Sequence, residues 1–179
     1  TGTPAVNAAL NEIVIDDLGS LLGYSGLAML LALIYLFRTP FMVVGPMAVV
    51  AVSILWTMGF MAISGMTLNL LSSILPAFLL CVGLGDSIHL QSIFRTCRKH
   101  QVDHREALIQ AAGITGPPIL FTSLTTMIGL FSFKFASVTA IQEMGVAGGV
   151  GVIFALLHSL ITLPLFLLWQ GERGRVIID

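Results

Sequence analysis

The residues best suited to chemistry lie in GLGDSIHLQS, residues 83–92, which follows the uncharged run ILPAFLLCV. Asp86 and His89 are three apart, so on a helix they share nearly one face about a turn from each other. An ionised Asp at the centre of a membrane helix costs about 3 kcal/mol on insertion scales. Such a residue within a span is a functional candidate by default, because hydrocarbon selects against it. A carboxyl that exchanges a proton with a hydroxyl or imidazole neighbour is what a proton relay requires. The bland alternative is a permanently protonated Asp86 making a static hydrogen bond between helices.

Elements able to position these groups follow from composition. Hydrophobic residues make up 56% of the chain and charged residues 9%, against about 25% charged in soluble domains. The chain is therefore expected to be an integral membrane protein, an all-α bundle. A hydrocarbon core about 30 Å thick takes about 20 apolar helical residues. Five stretches qualify, 18–37, 41–63, 68–94, 114–133 and 144–169, giving a transmembrane domain over 18–169. Residues 1–17 read as the end of an extracytoplasmic segment and 170–179 as a cytoplasmic tail. The polar, acidic opening TGTPAVNAALNEIVIDDL looks like the tail of a preceding domain, so the chain is expected to be a piece of something longer. Residues 95–113 are too charged to span. Asp103 followed by Glu106 has capping-box character, which predicts a short amphipathic helix on the cytoplasmic surface between the third and fourth spans.

Charge sets the expected orientation. Arg38, Arg95, Arg98, Lys99, Arg105, Arg173 and Arg175 fall on one side of the five spans, and only Lys134 on the other. The positive-inside rule then places the N-terminus outside and the C-terminus in the cytoplasm. With a net charge of −1 and no Arg-rich stripe, nothing favours a nucleic-acid partner. Cys81, in a span, and Cys97, in the basic segment, read as free thiols rather than a disulfide framework.

Depth gathers the polar residues into one layer. Asp86 lies about 13 Å inside Arg95, near the midplane, at 1.5 Å per residue. On the fourth span Thr122, Ser123, Thr125 and Thr126 lie about 12–18 Å deep, and His158 on the fifth about 16 Å deep. Asp86, Ser87, His89, the four hydroxyls and His158 are thus the candidate relay. Hydroxyls also bond back to their own helix, and a lone span histidine is more often hydrogen-bonded core. Asn69, Gln91 and Gln142 lie near the interfaces and call for no special role, and Glu143 reads as a charge at the N-terminus of the fifth span. Gly83 with Ser87, Ala77 with Cys81 and Gly85, and Gly145, Gly148, Gly149 and Gly151 would let another backbone approach closely. Pro117, Pro118 and Pro164 kink or start helices.

Two other patterns carry less. Cys97, His100 and His104 lack a fourth ligand at zinc spacing, so no metal site is expected, and nothing requires a cofactor. GYSG at 23–26, with a membrane histidine, resembles the catalytic pair of rhomboid intramembrane proteases. Ser25 and His158, however, fall at different depths, and the glycines rhomboids carry around their histidine are absent from ALLHSL. The chain is not expected to be an enzyme.

Taken in order, TGTP, GLGDSIHL, AGITGPPILFTSLTTMIGLFSF and IQEMGVAGGVGVIFALLHSLITLPLFLL resemble successive motifs in one membrane half of an RND-superfamily exporter of the MMPL and hopanoid-transporter branch. The resemblance implies that the five spans are helices two to six of a six-helix half, with the first helix and a porter domain preceding Thr1. It implies a proton-driven exporter of hydrophobic or amphipathic, lipid-like molecules in the inner membrane. Its relay aspartate maps onto Asp86, and the hydroxyl partner onto one of Thr122, Ser123, Thr125 or Thr126. Implied partners are membrane lipids, the other transmembrane half and the porter domain, within an oligomer or larger complex. The motif departs from the Asp-Tyr or Asp-Asp pattern of many members: Asp86 is three rather than four residues before the histidine and is followed by Ser87. Sterol-sensing relatives offer the rival of a non-transporting scaffold or sensor.

Overall fold

The computed structural model describes the backbone of residues 3–37, 40–100 and 103–172, and side chains over 15–37, 42–100 and 103–169. Its helices are α1 (Thr3–Phe37), α2 (Pro40–Ile63), α3 (Leu75–Lys99), α4 (His104–Ser132), α5 (Thr139–Leu157) and α6 (Leu163–Glu172). A π-helical stretch, His158–Thr162, joins α5 to α6 into one rod. Five segments, Ile15–Phe37, Met42–Ile63, Ser72–Lys99, His104–Phe135 and Thr139–Trp169, are long and apolar enough to cross a membrane. The chain is an all-α membrane bundle. The expected tail at 1–17 is helical from Thr3 onward, continuous with the first span. Residues 173–179 of the C-terminal tail, with Arg173 and Arg175, lie outside the described residues.

Local sequence sets the ends of these rods. After α2 the chain turns at Gly65, whose φ of 66° suits a residue without Cβ. Asn69 then takes the backbone N–H groups of Leu71 and Ser72 on Oδ1 at 3.0 Å, while the Ser72 hydroxyl donates back to the Asn69 carbonyl. That reciprocal cap starts the turn leading into α3, where Pro76 occupies the first helical turn. Asp103 caps α4 by accepting from the Arg105 N–H at 3.3 Å. The segment expected to lie on the surface is helical, and it runs without a break into the fourth span. A 29-residue α4 is about 43 Å long, so its first turns extend beyond the hydrocarbon. Pro117 and Pro118 sit inside it.

Packing centres on α3, which is 56% buried over its membrane window, against 11% for α1 and 17% for α4. The rod holding α5 lies against it because α5 lacks side chains where they meet. A Cβ on Gly148 would stand 3.1 Å from Leu75 and one on Gly151 2.9 Å from Leu79. The other glycines of the run face the end of α4: a Cβ on Gly145 would stand 2.5 Å from the Leu130 carbonyl, and one on Gly149 2.7 Å from the Phe131 ring. Gly83 admits Val50 of α2 in the same way, at 2.9 Å, whereas Gly85 has nothing within 4 Å of a would-be Cβ. Helix-end carbonyls are tied across the bundle. Arg95 donates to Leu36 at 3.4 Å, and His104 Nε2 to Leu167 at 2.9 Å.

Candidate functional site

Gly85 is open because α3 and α4 diverge there, leaving a groove of about 460 Å³ between them. Cys81, Gly85 and His89 recur every fourth residue along its α3 wall, with Asp86 beside them. On the α4 wall Thr115, Thr122, Ser123 and Thr126 recur at helical spacing, interleaved with Pro118 and Ile119. The result is an apolar trough with a polar strip along each wall.

Asp86 is 8% exposed. Its Oδ2 is buried without a hydrogen-bond partner among the described residues. His89, one turn along, is exposed on the same wall. Across the groove the hydroxyls are not equivalent. Thr115 donates to the Ala111 carbonyl at 2.8 Å and Thr126 to the Thr122 carbonyl at 2.8 Å. Thr122 shares its proton between Pro118 and Ile119 carbonyls, each at 3.0 Å. Ser123 is 3% exposed and bonds to no carbonyl of its own helix, so its donor and lone pairs remain available.

Of the residues singled out by depth, the fold brings Asp86, His89, Thr122, Ser123 and Thr126 together around this groove. It places three others elsewhere. Ser87 is fully buried on another face of α3, bonded to the Gly83 carbonyl at 2.7 Å. Thr125 is exposed on α4 and donates to Phe121 and Thr122 carbonyls. His158 bonds through Nδ1 to the Phe154 carbonyl at 2.7 Å and sets its ring edge-on to Trp56, with centroids 5.7 Å apart. Ser25 donates to carbonyls of its own helix, Leu21 and Leu22; no hydrogen bond joins it to His158 among the described residues. Cys97 and Cys81 are free thiols, and Cys81 lines the groove.

Sequence reasoning passed over several residues. Thr115 was legible, since it precedes Ile119, Thr122 and Thr126 at helical spacing. Gln91 is fully buried. Glu143 does more than sit at a helix start: its Oε2 accepts from Thr67 Oγ1 at 3.1 Å and from Thr67 N at 3.4 Å. Only the tertiary fold could supply that pairing.

Four apolar rods around a central fifth, α3, which carries a buried acid, make this a multi-pass membrane domain, of transporter type by its family. Residues 1–177 match the model of the MMPL family, and the chain belongs to that family. It is 24% identical over 164 residues to a membrane protein of Methanocaldococcus jannaschii, covering 92% of this chain and 42% of that protein. It is 30% identical over 126 residues to the hopanoid transporter of Rhodopseudomonas palustris, covering 70% of this chain and 14% of that one. A membrane protein of Bacillus subtilis is 32% identical over 100 residues, covering 55% of this chain and 11% of its own length. The chain thus spans less than half the length of these relatives.

Proposed function

We propose that this chain is part of the transmembrane domain of an inner-membrane exporter that couples the proton-motive force to the movement of hydrophobic or amphipathic, lipid-like molecules. Asp86 carries the proton, and Ser123, with Thr122, Thr126 and His89 around the groove, receives or delivers it. The observation that carries this reading is the Asp86 carboxylate itself, buried with Oδ2 unpaired on a groove wall. An acid kept only as a bond between helices would be expected to have a partner, so the unpaired oxygen favours a carrier over a scaffold. The hopanoid transporter among the relatives supports a lipid-like substrate. The bias of Lys and Arg supports an outside N-terminus and a cytoplasmic C-terminus. The other transmembrane half, a porter domain and surrounding lipid are the partners.

The test uses the full-length protein in cells loaded with an amphipathic fluorescent dye. Dye efflux should be abolished by a protonophore and, equally, by Asp86→Asn. Efflux indifferent to the protonophore would overturn proton coupling. Protonophore-sensitive efflux that survives Asp86→Asn would remove Asp86 from the relay.

A further inference from the structure

At the end of the bundle away from Arg95, half of the chain's methionines meet. Met61, near the end of α2, is 2% exposed and forms a buried cluster with Leu75 and Ala147. Met58, Met66 and Met144 all pack against that cluster.

The backbone brings the four together. The Met66 N–H donates to the Met61 carbonyl at 3.0 Å and the Gly65 N–H to the Ala62 carbonyl at 3.3 Å, with Gly65 at a φ of 66°. This pair of bonds is the Schellman ending of a helix, which folds the residue after the glycine back onto the last turn, here Met66 onto Met61. Met58 is one turn before Met61, on nearly the same face. Glu143 brings in the fourth: its Oε2 accepts from Thr67 Oγ1 at 3.1 Å and Thr67 N at 3.4 Å. That tie sets the start of α5, and Met144 with it, beside the turn that carries Met66.

Met58, Met61 and Met66 line a cavity of about 480 Å³. Its other walls, Ala62, Thr67 and Leu68, add one hydroxyl, which is already donated to Glu143. Methionine that only fills a core closes the space around it; here three methionines border an open one. Their thioethers are neutral, soft donors. We propose that Met58, Met61, Met66 and Met144 bind a soft monovalent cation, Cu(I), at this end of the bundle.

The donor set selects the ion. Thioethers favour Cu(I), whereas harder divalent ions require carboxylate, carbonyl or imidazole ligands. Among the described residues no three of His, Cys, Asp and Glu come together to hold such an ion. A single charge also costs less to move out of water than a double one, and the Glu143 carboxylate next to Met144 offsets it. The inference rests on the ends of α2 and α5 and does not depend on proton transport.

Silver tests it, because Ag(I) has the same charge and softness as Cu(I). Peroxide converts a thioether to its sulfoxide by way of a sulfur lone pair, so a thioether bound to metal is protected. The full-length protein in lipid nanodiscs is treated with dilute hydrogen peroxide in silver nitrate or in sodium nitrate, and sulfoxide is read at each methionine by mass spectrometry. Silver should slow oxidation of Met58 and Met66 several-fold and leave the half-buried Met29 and Met127 unchanged. Met61→Leu, a swap of similar volume, should remove most of that protection. Should that variant fail to fold, Met144→Leu makes the same comparison. No protection, protection shared by Met29 and Met127, or protection undiminished in the folded variants overturns the site. Equal protection by zinc nitrate would overturn the preference for a soft ion.

Discussion

Asp86 and Ser123 stand on opposite walls of one groove, each nearly excluded from solvent, the acid with an unpaired Oδ2 and the serine bonded to no carbonyl of its own helix. The neighbouring threonines spend their protons on α4 carbonyls. Within this strip Ser123 is the hydroxyl freest to bond the carboxyl without giving up a local bond. Ser123→Ala should therefore lower proton-coupled efflux about tenfold, since a hydrogen bond to a charged group is worth about 1.5 kcal/mol. Asp86→Asn should lower it about a hundredfold or more, as expected for loss of a proton-transfer group. Both are read as initial efflux rates at equal protein levels. Equal, small effects of Ser123→Ala and Thr122→Ala would deny Ser123 its special place.

Thr125 and His158 provide the complementary case. Thr125→Ala removes an exposed hydroxyl bonded only to its own helix and should leave efflux within about twofold, because surface substitutions shift energies by about 0.5 kcal/mol or less. His158→Phe keeps a ring against Trp56 and loses the bond to the Phe154 carbonyl. A modest fall in melting temperature with efflux retained is the expected result. Loss of efflux in a stable His158→Phe protein would return His158 to the proton path.

Why depth could be read from the sequence and facing could not is clear from these same residues. Distance along a helix follows from residue number, so Asp86, Ser123 and His158 were assigned to one layer with no knowledge of the fold. Which face meets which neighbour depends on how rods pack. The spacing of Ser87 and Asp86 differs by one residue, yet only Asp86 reaches the groove. The five spans were legible because hydropathy reports burial in lipid directly. The unbroken α4 was not, because the charge of residues 103–113 reports solvent exposure and says nothing about whether the helix continues.

Two sets of glycines should respond in opposite ways to a methyl group. Gly145→Ala drives a Cβ to 2.5 Å from the Leu130 carbonyl, which is backbone and cannot swing aside. The cost should be about 1–3 kcal/mol, as for other overpacked sites, seen as a lower melting temperature in detergent. Gly116→Ala adds a methyl with nothing within 4 Å and should stabilise α4 by up to about 1 kcal/mol through helix propensity. If both substitutions shift the melting temperature alike, the α4–α5 contact is looser than the geometry indicates.

The pairing of Thr67 with Glu143 predicts a local rather than a global effect. Glu143 Oε2 takes both the backbone N–H and the hydroxyl of Thr67, joining the turn after α2 to the first turns of α5. Both bonds are exposed, so water competes for them and their net worth is about 1 kcal/mol at most. Glu143→Ala should therefore barely move the melting temperature. The amide hydrogens of residues 64–71 should exchange several-fold faster in the variant, since local openings need far less free energy than global unfolding. Thr67→Val removes the hydroxyl bond but spares the one to the backbone, so exchange should rise by an intermediate amount. Exchange unchanged in Glu143→Ala would mean that the turn is held by its Asn69–Ser72 cap alone.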